Sequence, residues 1–220
     1  MNPNSTHKVV LITGAARRVG AELVRTLHAQ DYNIALHYRS SAEDADGLAA
    51  ELNALRKDSV RTLKADLEDT ASLPPMVEKA NSFWGRLDVL INNASSFYPT
   101  PVGSITEADW ENLLGSNLKG PLFLSQAAAP FLTESEGCIV NITDIHGDRP
   151  LKNHTVYCCA KAGLIMLTKS LARELGPAVR CNAVSPGAIM WPETEQSEAE
   201  KADIVSRTAL KRSGSPQDIA

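Results

Sequence analysis

Residues 9–27 read V-V-L-I-T-G-A-A-R-R-V-G-A-E-L-V-R-T-L, and this stretch decides the fold. Val9 to Ile12 form an unbroken aliphatic run of the kind found in strands covered on both faces. A turn containing Gly14 and Gly20 follows at once, and Val19, Leu23, Val24 and Leu27 then recur at spacings of three and four, marking one face of a helix. Strand, glycine loop and helix in direct succession suit a pyrophosphate. Glycines let the backbone turn tightly and come close, and the helix N-terminus offers free N–H groups with a partial positive charge. The glycines alone would also serve an ordinary turn; their place between strand and helix is what points to a nucleotide.

Outward from this unit the same alternation continues. Candidate strands run Val9 to Thr13, Asn33 to Tyr38, Val60 to Ala65, Asp88 to Asn92, Cys138 to Thr143 and Arg180 to Ser185, separated by helical segments. One such segment carries the stripe Leu164, Leu167, Leu171 and Leu175, read as core or subunit contact. Strands alternating with helices imply βαβ crossovers, so residues 1–220 are expected to form one α/β domain, a doubly wound parallel sheet of Rossmann type with its ligands beyond the carboxyl ends of the strands. The closing S-P-Q-D-I-A reads as a turn and the start of a helix.

Composition is that of an ordinary soluble protein, 43% hydrophobic and 22% charged, and a net charge of -4 gives no electrostatic reason to expect nucleic acid. No stretch reaches the roughly 20 apolar residues of a membrane span, and the polar opening M-N-P-N-S-T-H-K has no apolar run behind it. Cys138, Cys158, Cys159 and Cys181 show no zinc-ligand spacing and no convincing disulfide pair, which suits a reducing cytoplasm and no metal.

The second strand ends in His37-Tyr38-Arg39-Ser40, four candidate cofactor contacts. A cofactor with a free ribose commonly meets an acidic residue here; a guanidinium and a hydroxyl suit a 2′-phosphate, so NADPH is expected over NADH. Asp66 and Leu67 after the third strand are placed for the adenine, and Asn93 and Ala94 after the fourth lie beside the cofactor, although the asparagines also suit strand-end backbone groups. Tyr157 and Lys161 are four residues apart, on one face of a helix. The lysine ammonium is expected to lower the pKa of the phenol and make it a usable acid.

The order and spacing of T-G-A-A-R-R-V-G, N-N-A, Asn117, Y-C-C-A-K and Ser185-Pro186-Gly187 resemble the short-chain dehydrogenase/reductase family over essentially the whole chain. The resemblance implies Tyr157 as acid, Lys161 as ribose ligand and modulator of the phenol, Asn117 as a helix-distorting support for a relay water, and Pro186 and Gly187 at the cofactor. It also implies a homotetramer, and a final strand that a chain ending at Ala220 is expected to lack.

Two departures narrow it. Asp144 stands thirteen residues before Tyr157, where most members carry serine, and Arg18 stands where most have glycine. With Ser95-Ser96-Phe97-Tyr98-Pro99, these resemble the pteridine reductases. That subgroup implies a pterin or folate held between nicotinamide and Phe97, Ser95 and Arg18 on its polar edge and the cofactor phosphates, and an Asp144/Tyr157 proton relay. An NADPH-dependent carbonyl or 3-oxoacyl reductase is the alternative, and a non-catalytic NADPH sensor a more distant one. His146 and His154 are read as loop histidines, Cys158 and Cys159 as packing residues and Trp110 as core; Trp191 is a candidate flap residue, and 192–201 a mobile loop.

Overall fold

The period-two alternation of β1 (Val9–Ile12) divides the core in two: Val9 and Leu11 enter one apolar layer, Val10 and Ile12 the other. The computed structural model describes residues 6–189 and 197–220. β2 (Asn33–Tyr38) and β4 (Val89–Asn92) alternate in the same way, with Ala35 and Leu90 facing the first layer and Ile34, Leu36 and Ile91 the second. With β3 (Val60–Lys64), β5 (Cys138–Ile142) and β6 (Arg180–Val184) they form one sheet in the order β3-β2-β1-β4-β5-β6, parallel throughout.

Helices close both faces. α1 (Arg18–Ala29) and α2 (Ala42–Leu55) cover the second layer through Leu23, Val24, Leu48 and Leu52. α3 (Leu73–Ser82) and α5 (Gly120–Glu134) cover the first through Leu73, Val77, Leu124 and Leu132, with α6 (Thr155–Leu175) adding Leu171 and Leu175. α4 (Glu107–Leu114) and α7 (Glu198–Ser206) lie outside these layers, α8 (Pro216–Ile219) adds Ile219 to the edge of the second, and no described helix is long and apolar enough to cross a membrane. The chain reverses its direction of strand addition between β1 and β4, which opens a crevice at their carboxyl ends.

The structure matches the expected fold, and the strand limits differ by one residue at several ends. Thr13, Thr143 and Ser185 stand just past the strand ends, where the Thr13 and Thr143 N–H groups still donate to the neighbouring strands and the hydroxyls take further partners: Thr13 Oγ1 accepts from two backbone N–H groups, and Thr143 Oγ1 lies 2.6 Å from Ser185 Oγ. The expectation that strands are covered on both faces fails at β6, where only Cys181 is buried. A polar chain crosses the first layer beneath the crevice. Asn92 Nδ2 donates to Asn141 Oδ1 at 2.8 Å, and Asn141 Nδ2 donates to Thr168 Oγ1 at 2.9 Å, fixing α6 against β4 and β5.

Asp88 anchors the amino end of the sheet. Its buried carboxylate accepts the Val9 N–H at 2.8 Å and a two-pronged contact from Arg86 at 2.9 and 2.5 Å. Asp88→Ala is expected to lower the unfolding free energy by about 2–3 kcal/mol, because it strands a buried N–H. Urea unfolding at pH 7 measures this, and a loss under about 0.5 kcal/mol, the range of an inconsequential surface change, would remove the anchoring role.

Candidate active site

At the end of β1 the backbone turns through Gly14 with φ +59°, so close to the next segment that a Cβ there would stand 2.8 Å from Ala94 Cα. A Cβ on Gly20 would come within 2.2 Å of the Gly14 carbonyl oxygen. Neither position accepts a side chain, and the first-turn N–H groups of α1 lie just beyond the loop. The loop is held from β4: Asn93 Nδ2 donates to the carbonyls of Thr13 (2.9 Å) and Gly14 (3.0 Å), while Thr13 Oγ1 accepts from the N–H groups of Asn93 (2.9 Å) and Ala94 (3.0 Å). Of the two roles open to Asn93, the bracing one is visible. Arg18 and Val19 follow at the start of α1, Arg18 exposed and with φ +53°, which costs a non-glycine residue on the order of 1–2 kcal/mol.

His37 braces the loop from beneath. Its Nδ1 accepts the Gly14 N–H at 3.2 Å and its Nε2 lies 3.2 Å from the Ala65 carbonyl, so the ring is neutral with the proton on Nε2. Burial drives its pKa down to about 4. The ring is therefore committed to the protein, and what it gives a ligand is the position of Gly14. Leu67, expected at the adenine, likewise has its side chain in the core. Tyr38 packs partly buried against the second layer, whereas Arg39, Ser40 and Asp66 are exposed at the strand ends, Arg39 contacting Glu68 at 3.3 Å.

The expected catalytic residues converge. Tyr157, buried at the first turn of α6, donates its hydroxyl to Asp144 Oδ2 at 2.8 Å, and Asp144 Oδ1 accepts the His146 N–H at 2.8 Å. Burial, and after it the Asp144 charge, push the phenol pKa up, where the sequence suggested a downward shift. Burial outweighs any help from the lysine: the Lys161 ammonium lies under the ring, 5.6 Å from its centroid, and the carboxylate is the charge in contact with the hydroxyl. Lys161 is 2% exposed, donates to the Ile142 carbonyl at 3.0 Å, and is lowered to about 8 by desolvation.

Asn117 sits in a π-helical turn, Gly115–Lys119, the helix distortion expected of it. Its amide is occupied by protein: Nδ2 donates to the carbonyls of Leu113 (3.0 Å) and Ser96 (2.9 Å), and Oδ1 accepts from Ser95 Oγ at 2.7 Å. Ser95 is thereby fixed beside Tyr157. Pro186 also reaches this end, its carbonyl accepting the Ile145 N–H at 3.1 Å, with Gly187 close to the Ile145 side chain.

Phe97, 45% exposed, stands edge-to-face with Tyr157 at 4.8 Å and stacks on His154 at 4.7 Å with 13° between the planes. His154 is the N-cap residue of α6, where the chain enters the helix, so the loop expectation holds for its backbone while its ring packs on Phe97. Thr100 went unnoticed. It forms a parallel bridge with His154 and its hydroxyl accepts the Val156 N–H at 3.4 Å, stitching the Phe97 segment to the start of α6. Two packing expectations fail. Trp110 is 47% exposed because it lies one turn nearer the solvated end of α4 than the buried Leu113, and Cys159 is exposed on the outer face of α6 while Cys158 is buried. Trp191 and residues 192–196 lie outside the described residues, and from Glu198 the span read as loop is helix α7.

Comparison with known proteins identifies the family. Pteridine reductase 1 of Leishmania tarentolae is 38% identical over 88% of this chain and 80% of its own length. A 3-oxoacyl-acyl-carrier-protein reductase of Staphylococcus aureus is 34% identical over 97% of this chain and 87% of its own, and one from Staphylococcus epidermidis 32% identical over 97% and 88%. The family model described as short chain dehydrogenase matches residues 8–203, and the chain belongs to that family of oxidoreductases.

Proposed function

We propose that the chain is an NADPH-dependent pteridine reductase acting on dihydropterin or dihydrofolate substrates. The observation that carries this reading is the 2.8 Å bond between Tyr157 and Asp144 beside the half-exposed ring of Phe97. The crowding at Gly14 and Gly20, positions a Cβ would fill, fits a dinucleotide pressed against the loop. Gly14, Arg18, Val19 and Gly20 would hold its phosphates, and Arg39 and Ser40 the 2′-phosphate. His37, Tyr38, Asp66, Leu67, Asn93 and Ala94 would line the adenosine half, the first and fourth through their backbone, with Lys161, Pro186 and Gly187 at the nicotinamide half. A reduced nicotinamide bound there supplies hydride.

Hydride arriving at C7 of an oxidised pterin, or at C6 of a dihydropterin, leaves N8 or N5 in need of a proton. Asp144 is half-buried, so solvent reaches part of it. Once protonated, it and Tyr157 together hold two exchangeable protons, one of which passes to the ring nitrogen. The carboxylate left behind is stabilised by the phenol O–H and the His146 N–H, both within 2.8 Å. Phe97 offers a flat apolar face for stacking, and Ser95 and Arg18 supply hydrogen bonds for the polar edge of the heterocycle.

The 3-oxoacyl reductases matched at 34% identity favour a second reading, reduction of a ketone, in which the phenol alone supplies the proton. Four cysteines without disulfides support a reducing cytoplasmic setting, and exposed Phe123 and Met166 on α5 and α6 give apolar surface to a homotetramer.

Tyr157→Phe is expected to lower kcat by about 10²–10⁴ on any substrate. Asp144→Ser separates the readings: turnover of oxidised pterin and dihydrobiopterin falls by about 10² or more, the scale of a lost acid, while reduction of an acetoacetyl thioester does not. Wild-type enzyme that oxidises NADPH with the thioester and not with either pterin would refute the pteridine assignment.

The buried Lys161 ammonium predicts a cost in stability. Its folded pKa of about 8 lies below the unfolded value near 10.4, so between these the unfolded chain binds more protons and stability rises with pH. Lys161→Met therefore raises the unfolding free energy at pH 7 by on the order of 1–3 kcal/mol, a gain that shrinks toward pH 10, while abolishing turnover. Urea titrations at the two pH values measure it; a variant less stable than wild type at pH 7 contradicts the account.

A further inference from the structure

Arg39 and Glu68 leave the carboxyl ends of the neighbouring strands β2 and β3, which pair in register up to Tyr38 and Lys64. Their side chains meet in one contact, Arg39 Nη1 to Glu68 Oε1 at 3.3 Å. The two partners are held very differently. Arg39 is 55% exposed in its side chain and makes that single contact through one nitrogen. Glu68 is 32% exposed and is fixed from three sides. Asn112 Nδ2 of α4 donates to the same Oε1 at 2.8 Å, the Glu68 N–H donates to Asp66 Oδ1 at 3.0 Å, and Gly115 lies so close that a Cβ there would stand 3.0 Å from Glu68 Cγ.

The carboxylate is thus the stationary charge of the pair and the guanidinium the movable one. We infer that Glu68 is a specificity-determining residue, a fixed negative charge that competes with the 2′-phosphate of the cofactor for Arg39 and so limits the preference for NADPH over NADH. The inference rests on the reading of Arg39 as the 2′-phosphate ligand. A dianionic phosphate reaching Arg39 approaches a second negative charge already in contact with it, and the repulsion, partly screened by solvent, persists because Asn112 holds the carboxylate in place. A ribose 2′-hydroxyl carries no charge and can donate to a carboxylate, so the same residue leaves NADH untouched or aids it.

Glu68→Gln tests this with little disturbance, because the amide oxygen still accepts from Asn112. Equilibrium binding of NADPH and of NADH to the full chain, followed by cofactor fluorescence without substrate, is compared for wild type, Glu68→Gln, Arg39→Leu and the double variant. Glu68→Gln is expected to bind NADPH about 3- to 10-fold more tightly, with NADH held within about 2-fold, the scale of one partly screened charge. The gain should shrink at 0.5 M salt and in the Arg39→Leu background. NADPH binding that is unchanged or weaker in Glu68→Gln, while Arg39→Leu still loses NADPH affinity, overturns the competition and leaves the Arg39 reading standing. If Arg39→Leu costs NADPH nothing, the 2′-phosphate assignment fails and the inference fails with it. A parallel change for both cofactors would mark Glu68 as merely structural.

Discussion

The carboxyl ends of β1 and β4 are locked by a reciprocal exchange in which the Thr13 hydroxyl accepts two N–H groups from Asn93 and Ala94 while the Asn93 amide spans two carbonyls of the opposite strand. This crossing draws Gly14 against Ala94 at a separation no side chain could occupy. The glycine loop and the segment leaving β4 therefore move as one body. That segment continues to Ser95, which bonds Asn117, and to Phe97, which packs on His154 and Tyr157. The glycine loop and the Phe97 segment, far apart in the chain, thus share one support, which in the proposed enzyme would hold hydride donor and acceptor in fixed relation.

Two buried bases beneath this support have opposite meanings. His37 is neutral, with both ring nitrogens satisfied by backbone, and it rigidifies the loop. Lys161 keeps an ammonium in a fully buried position, donating to one carbonyl and, among the described residues, with no carboxylate within ion-pair distance. A methionine would fill the same space without the desolvation cost of a charge. In the proposed enzyme the reward of the ammonium comes when a ribose and a nicotinamide cover it.

Much of this was legible in the sequence because it depends on local pattern. Mostly apolar runs marked the strands, Tyr157 and Lys161 fell on one helix face by their spacing of four, and Asp144 was placed beside them by the resemblance to the family. The misses share a different cause, contact between segments that no periodicity relates. The Phe97–His154 stack joins the loop after β4 to the entry of α6, and the Arg39–Glu68 pair joins two strand ends 29 residues apart. Trp110 and Cys159 failed in the opposite sense. Residue type suggested burial, and position on the helix decided exposure. The direction of the Tyr157 shift was misjudged because a nearby charge was weighed and burial was not.

The same weighing bears on substrate choice more than overall identity does, since relatives with different chemistries match this chain almost equally well. A ketone being reduced needs one proton on one oxygen, and a phenol suffices. A pterin ring being reduced at carbon needs the proton on an adjacent ring nitrogen, and a phenol held above its usual pKa is a poor donor to it unaided. A carboxyl group in contact with that phenol changes the balance, because its conjugate base is accommodated, receiving the phenol O–H and a backbone N–H. A serine at position 144 would stabilise a phenolate without bringing an acidic proton of its own. In the proposed pteridine reductase, that one side chain is what would distinguish reduction of a ring C=N bond from reduction of a ketone.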